Sequence, residues 1–204
     1  MNLYEKSLQK ELAKWHKEMR KPPSHLNKMT KSVQTKTQSL IPDKVQNLIT
    51  KSVEKMAESI MFGSGIAMSG EVADKMTLAE SDCLVEKAYK IYSKGAIIQG
   101  AGCGAGGIFL GMADFPALLS IKVKFLYDCA KFYGYDVREE SERLYLLHIF
   151  QLAFSSDQHR LKIYNKLMNS NFGNIKDSTV NWEEFQLEYR DCATRSYMKS
   201  VSIA

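Results

Sequence analysis

The sequence lacks the patterns that identify many enzymes and metalloproteins. Neither an HExxH zinc motif nor a Gly-x-Ser-x-Gly nucleophile turn occurs in its 204 residues. The four cysteines stand singly, without a CxxC pair or a histidine at metal-ligand spacing: Cys83, Cys103, Cys129 and Cys192. We therefore expect no metal or other cofactor, and we expect reduced, mostly buried thiols.

We also expect no secretory signal, because the first seventeen residues carry charges throughout and contain no apolar core of signal-peptide length. This pattern predicts a cytoplasmic protein. The length suits a single domain spanning 1–204, and the hydrophobic fraction of 45% with a charged fraction of 25% is ordinary for a globular chain.

The net charge of +5 is distributed unevenly along the chain. Residues 1–55 hold 12 Lys or Arg against 5 Asp or Glu, and the remainder hold 16 against 18. A basic amino-terminal arm attracts acidic surfaces, although basic charge also serves solubility. Nucleic acid is not an expected partner, because the arm has no aromatic platform or recognised nucleic-acid motif.

Residues 1–23 predict a basic amphipathic helix that ends at Pro22-Pro23. Its apolar stripe consists of Tyr4, Leu8, Leu12, Trp15 and Met19, with Lys6, Lys10, Lys14 and Lys17 off the stripe. A helix of this kind either lies in a membrane interface or docks on its own domain, and the pattern fits both.

Further helices follow with their own start and stop signals. Pro42 opens a helix with apolar positions at Val45, Ile49, Val53, Met56 and Ile60, which Gly63 and Gly65 end. Thr77 to Glu80 has the form of a capping box before a helix that is predicted to reach Gly95. Later helices are predicted from Asp114-Phe115-Pro116 to Gly134, from Glu139 through the uncharged run 144–154, from Asp157, and from Asn181. The whole pattern predicts an all-α, irregular multi-helix bundle.

The segment 95–113 is the most unusual part of the chain, with no charge in nineteen residues and seven of the twelve glycines. Glycines four apart allow another backbone to approach closely, so we expect an apolar helix or hairpin at the centre of the bundle. So many glycines make independent membrane insertion unfavourable. The GxGxxG match at 102–107 lacks a βαβ unit and the lysine of a P-loop, which argues against nucleotide binding.

Two pairs of side chains are candidates for chemistry. Cys103 and His148 are a nucleophile and base only in principle, because Cys103 has no nearby cation and His148 lies in an apolar run where a hydrogen bond to Gln151 or a backbone carbonyl is usual. Lys122 is predicted at the centre of an apolar face of its helix, with Lys124, Asp128 and Lys131 on the opposite side. Asp114 and Lys122 are either a polar ligand-binding site within the core, or a capping carboxylate and a snorkelling lysine.

The stretch GAGCGAGGIFLGMADFPALL, together with KWHKEMRKPPS, LIPDKVQNLI, ERLYLLHIFQLAFSS and WEEFQLEYRD, resembles the bacterial EcsC family. The resemblance implies no established activity and carries over no catalytic residues, so we expect a non-enzymatic protein. Bacterial members are encoded beside the subunits of an ABC transporter. The family continues after EYRD into a second Gly-rich segment, which we expect to be missing here.

These observations lead to two functional hypotheses. The first is an uncharacterised accessory protein, peripheral at the inner face of the membrane, with the membrane surface or ABC transporter subunits as partners. The alternative is a soluble small-ligand binder or enzyme with a polar site around Asp114 and Lys122.

Overall fold

The computed structural model describes residues 3–22, 43–63, 76–104, 115–155 and 157–169, which form six helices and no strand. The helices are α1 (Leu3–Met19), α2 (Asp43–Phe62), α3 (Leu78–Gly104), α4 (Phe115–Phe132), α5 (Glu140–Phe154) and α6 (Asp157–Asn169). The prediction of an all-α bundle is confirmed. The predicted helix at Asn181 lies outside the described residues.

The core forms where α2, α4 and α5 meet. Four of the five predicted apolar positions of α2 are buried there: Ile49, Val53, Met56 and Ile60. The side chain of the fifth, Val45, lies outside the described part. The uncharged run of α5 also belongs to the core, as predicted, with Leu146, Leu147 and Phe150 buried against the other two helices. Burial of this apolar surface is the main force that holds the three helices together.

Two predicted helix-end signals have the expected geometry. The backbone N–H of Thr77 donates to Oε2 of Glu80 at 2.8 Å, and the Glu80 N–H donates to Oγ1 of Thr77 at 3.3 Å, which completes the capping box before α3. Gly134 follows α4 with φ 83°, and the N–H of Tyr135 donates to the carbonyl of Ala130 at 2.9 Å.

Three expectations about local structure were wrong. Helix α3 continues past Gly95 to Gly104, so the described first half of the Gly-rich segment is helical. Lys131 is buried with 7% exposure rather than on an outer face, because α4 turns Val123 and Tyr127 into the core and Lys131 follows one turn after Tyr127. Of the two cysteines whose side chains are described, Cys83 is exposed, although the sequence predicted mostly buried thiols, and Cys129 is partly buried.

Candidate functional site

A groove between α2 and α4 is lined by one helical stripe from each helix. The stripe of α2 recurs every three or four residues and consists of Leu48, Lys51, Ser52, Lys55, Met56 and Ser59. The stripe of α4 has the same period and consists of Pro116, Leu119, Ser120, Val123 and Lys124. The groove encloses about 550 Å³, within the range of roughly 300–1,000 Å³ common for small-molecule sites.

The floor of this groove is apolar and well packed. Met56, Leu119 and Val123 are buried at its base and also belong to the central core, so the floor is held by the fold itself. The hydroxyls of Ser52 and Ser120 donate to backbone carbonyls of their own helices, to Leu48 at 2.7 Å and to Pro116 at 3.0 Å respectively. These two hydroxyls therefore present acceptor oxygens rather than protons to a ligand.

Three lysines supply the charge of the groove. Lys51 and Lys55 lie one turn apart on α2, and Lys124 lines the groove from α4. All three side chains are exposed, and none forms an ion pair within the part of the chain that the structure describes. The carboxylates of Glu54 and Glu58 do not line the groove, although they lie on the same helix. The geometry therefore combines an apolar floor with positive charge at the rim.

Helix α1 forms a second candidate surface. The predicted apolar stripe is present, but no residue of α1 is buried. Leu12 is 52% exposed and Trp15 is 36% exposed, whereas Leu3, which is 86% exposed, lies on the lysine side of the helix. The four lysines of α1 on the opposite side are exposed as well. An amphipathic helix thus lies on the protein with much of its apolar surface still accessible.

The contacts that hold α1 are mainly polar and aromatic. Near its amino terminus, the Tyr4 hydroxyl donates to Oδ2 of Asp82 in α3 at 2.5 Å, and this hydrogen bond raises the pKa of Tyr4. Near its carboxyl terminus, Nδ1 of His16 lies 2.6 Å from the hydroxyl of Tyr164 in α6. The indole of Trp15 packs edge-on against the ring of Tyr164, with 5.7 Å between centroids. Helix α1 is therefore attached at both ends through few side chains.

The predicted Asp114–Lys122 site remains a prediction. Asp114 lies outside the described residues. Lys122 is partly buried on α4 and does not line the groove, whereas Lys124 does. At 100° per residue the two lysines lie about 160° apart around the helix, so they serve different surfaces.

The other chemical candidates do not form a catalytic arrangement in the described part of the chain. His148 is buried, its Nδ1 lies 3.3 Å from Oε1 of Gln151 as predicted, and its buried Nε2 has no hydrogen-bond partner among the described residues. Cys103 has no described side chain. Burial raises the pKa of the Cys129 thiol to about 11, which makes it a poor nucleophile at neutral pH. Within the described ranges, no three potential ligands among His, Cys, Asp and Glu gather as a metal site.

None of the described helices combines the length and the apolar character that crossing a bilayer requires.

Sequence reasoning missed the groove, although one signal was present. Lys51 and Lys55 are like charges at i and i+4, an arrangement that is unfavourable by about 0.2–0.5 kcal/mol on an isolated helix. On the helical wheel, at 100° per residue, both lysines lie within about 60° of the apolar Leu48. That combination marks a helix edge where positive charge adjoins apolar surface, but it does not identify α4 as the opposite wall.

Comparisons with known proteins show which family the chain resembles in sequence. The model of the EcsC protein family matches residues 6–200. Protein EcsC of Bacillus subtilis (strain 168) is 40% identical over 90% of this chain and 77% of its own length. Uncharacterized protein YdbA of the same organism is 27% identical over 89% of this chain and 75% of its own length. No solved structure matches.

The described residues define an all-α protein with a lysine-rimmed groove and a half-exposed basic helix. The chain belongs to the EcsC protein family, as the family match and the 40% identity to Bacillus subtilis EcsC show.

Proposed function

We propose that this chain is a non-enzymatic accessory protein that binds the inner face of the cytoplasmic membrane through α1. The observation that carries the proposal is the exposure of the α1 apolar stripe, with Leu12 half accessible and Trp15 at the surface. A helix with apolar side chains on one side and lysines on the other lies in the plane of a membrane interface, with the apolar side among the lipids.

The charge of this region favours an anionic surface. Residues 3–22 hold six Lys or Arg against three Glu, and the chain up to residue 55 has an excess of seven positive charges. Each lysine or arginine near an anionic membrane contributes about 1 kcal/mol of attraction, which salt weakens. Apolar burial and charge attraction together supply the two contributions that a single short helix needs for stable peripheral binding.

Docking of α1 on its own domain is the competing explanation for its amphipathic pattern. It accounts for the contacts of Trp15 and His16 with Tyr164, but it leaves about half of the Leu12 side chain in water. Membrane binding gives the exposed part of Leu12 an apolar environment without breaking the contacts to Tyr164. The proposed function therefore treats α1 as docked and lipid-facing at the same time.

A link to an ABC transporter is part of this proposal. Its support is the family resemblance, whose bacterial members are encoded beside the subunits of such a transporter. Co-purification of the full chain with ABC transporter subunits from solubilised membranes tests the link, and its absence under conditions that keep the transporter intact would contradict it.

Flotation with liposomes tests the membrane proposal. We expect the full chain to float with anionic vesicles at low salt and to be released by high salt, with little flotation on neutral vesicles. Leu12→Gln is expected to reduce flotation, whereas Ile91→Gln, at a similarly exposed position of α3, is expected not to. An equal loss of flotation in both variants would show that α1 is not the specific membrane contact.

A charge comparison completes the test. Replacement of Lys10 and Lys14 with glutamine is expected to weaken anionic-vesicle binding about thirtyfold, on the basis of about 1 kcal/mol per lysine. Replacement of Lys87 and Lys94, which are exposed on α3, removes the same charge elsewhere and is expected to have a smaller effect. Well-folded protein that does not float with any vesicle would contradict the proposal.

A further inference from the structure

The groove between α2 and α4 carries the positive charge of three lysines, and no described carboxylate lines it. Lys51, Lys55 and Lys124 line it from two helices and form no ion pair within the described residues. Lys51 and Lys55 repel one another across one helical turn. An anion held between the three ammonium groups would replace this repulsion with attraction and accept charge-assisted hydrogen bonds.

The apolar floor of the groove is complementary to a ligand that has an apolar part as well as a negative charge. Leu48, Pro116 and the buried side chains beneath them form this floor, and the hydroxyls of Ser52 and Ser120 already donate to backbone carbonyls. An inorganic anion alone would leave the apolar floor in contact with water. A ligand with an alkyl chain would remove that surface from water and gain free energy from its burial.

The charged and apolar lining residues are distributed unevenly along the groove. The Tyr127 hydroxyl donates to the carbonyl of Ile60 at 3.2 Å, so the carboxyl-terminal parts of α2 and α4 lie side by side. Lys55 and Lys124 lie toward this end, whereas the apolar Leu48 and Pro116 lie toward the other. Two of the three lysines are therefore toward one end of the groove, and Lys51 lies one turn from Leu48 toward the other end.

The dimensions suit a single extended chain. The lining of α2 extends over the twelve residues from Leu48 to Ser59, or about 16 Å at the helical rise of 1.5 Å per residue. The cavity of about 550 Å³ is open to solvent along its rim, where the lysines stand. We infer that this groove binds a single-chain amphiphile with an anionic head group, whose head contacts the three lysines and whose alkyl chain lies on the apolar floor.

A free amphiphile and a lipid within a membrane share this chemistry, so the probe must separate them. Decyl phosphate below its micelle concentration supplies the monomeric ligand, and binding to the full chain is measured by isothermal titration calorimetry. Decyltrimethylammonium has the same chain with the opposite charge, and inorganic phosphate has the head without the chain. Saturable one-to-one binding of decyl phosphate, with at least tenfold weaker binding of the other two, is the expected result.

Variants locate the binding site. The triple replacement Lys51→Gln, Lys55→Gln and Lys124→Gln is expected to weaken decyl phosphate binding at least tenfold, because charge-assisted contacts are lost. The matched control replaces three exposed lysines outside the groove, Lys44, Lys87 and Lys94, and is expected to bind as the wild type does. Circular dichroism and thermal melting verify that both triple variants remain folded.

A second variant tests the apolar part without changing charge. Ser120→Trp places a bulky side chain at an exposed lining position of α4 and is expected to obstruct the alkyl chain, which again weakens decyl phosphate binding at least several-fold. Its fold is tested in the same way. Leu12→Gln on α1 is expected to leave decyl phosphate binding unchanged, so that failure of the membrane proposal and failure of this inference remain separate.

Four outcomes would overturn the inference. They are no saturable binding of decyl phosphate, equal binding of the cationic amphiphile, binding of inorganic phosphate as tight as that of decyl phosphate, and equal effects of the two triple-lysine variants. Binding seen only on anionic vesicles, and never with monomeric decyl phosphate, would also overturn it, because the lysines would then belong to a membrane-facing surface and not to a ligand groove.

Discussion

The Nε atom of Arg143 donates a hydrogen bond to the backbone carbonyl of Met61 at 2.9 Å. Arg143 lies in the first turn of α5 and Met61 in the last turn of α2, so one side chain joins the two helices. The same guanidinium donates through Nη1 to the carbonyls of Val137 and Arg138 in the connection between α4 and α5. The last carbonyls of a helix have no hydrogen-bond donor inside it, and Arg143 supplies such a donor to α2. Its positive charge is also favourable at the carboxyl end of a helix.

Arg143→Met is expected to lower the free energy of unfolding by about 1.5–3 kcal/mol, because several carbonyls lose a charged donor. Chemical denaturation of the full chain measures this change. Arg138→Met is the matched control, since Arg138 pairs with Asp136 at the surface at 2.7 Å and screened surface pairs contribute little. Equal destabilisation of both variants would contradict the role assigned to Arg143.

His148 predicts a dependence of stability on pH. Burial, and secondarily the charge of Lys166, lower the pKa of His148 below its ordinary value of 6.5. Below that pH the unfolded chain binds a proton that the folded chain does not yet take up. The stability associated with neutral His148 is therefore complete above pH 6.5 and is lost progressively as the pH falls through the folded-state pKa.

Thermal melting of the wild type at decreasing pH, compared with His148→Phe, measures this contribution. The variant cannot take up a proton at this position, so its melting temperature is expected to fall less steeply below pH 6.5 than that of the wild type. His16→Phe is the control, because it changes a partly buried histidine and keeps His148. Its melting temperature is expected to fall with pH as that of the wild type does. Parallel curves for the wild type and His148→Phe would show that His148 does not carry the effect.

Gly95 and Gly134 are expected to respond oppositely to alanine. Gly95 lies inside α3, and a Cβ atom there would meet no atom within 4 Å, so Gly95→Ala is expected to raise the free energy of unfolding by about 0.5–1 kcal/mol. Gly134 has φ 83°, where an L side chain is strained, so Gly134→Ala is expected to lower it by about 1–2 kcal/mol. Chemical denaturation of both variants tests the pair, and changes of the same sign would contradict the local geometry.

The helix signals that the sequence predicts correctly are local ones. Thr77 and Glu80 form their capping box within four residues, and Gly134 adopts a positive φ directly after α4. The prediction that α3 ends at Gly95 is wrong because one glycine costs a helix only about 1 kcal/mol relative to alanine. Packing of Tyr92 against Phe125 of α4, at 5.7 Å between centroids, helps to hold α3 at a position just before that glycine.

The features that the sequence does not predict depend on which helices meet. A helical wheel of α4 has apolar residues on two sides, so the sequence alone does not show which side is buried. The contacts of α4 with α2 and α5 bury the side that contains Val123 and Tyr127. Lys131 becomes buried as a consequence of that rotation. The groove has the same origin, because Lys55 and Lys124 lie 69 positions apart in the printed sequence and line one cavity only after α2 and α4 pack together.

Lys122 and Lys124 distinguish the ligand site predicted from sequence from the groove seen in the structure. Lys122→Met changes a partly buried side chain outside the groove, whereas Lys124→Met removes one of the three groove lysines. If the groove is the binding site, Lys122→Met is expected to leave the affinity for decyl phosphate unchanged and Lys124→Met to reduce it about tenfold, as expected for loss of one charge-assisted contact. Calorimetry on both variants, with melting curves to verify folding, makes the comparison. The reverse order of effects would instead support a polar site around Asp114 and Lys122.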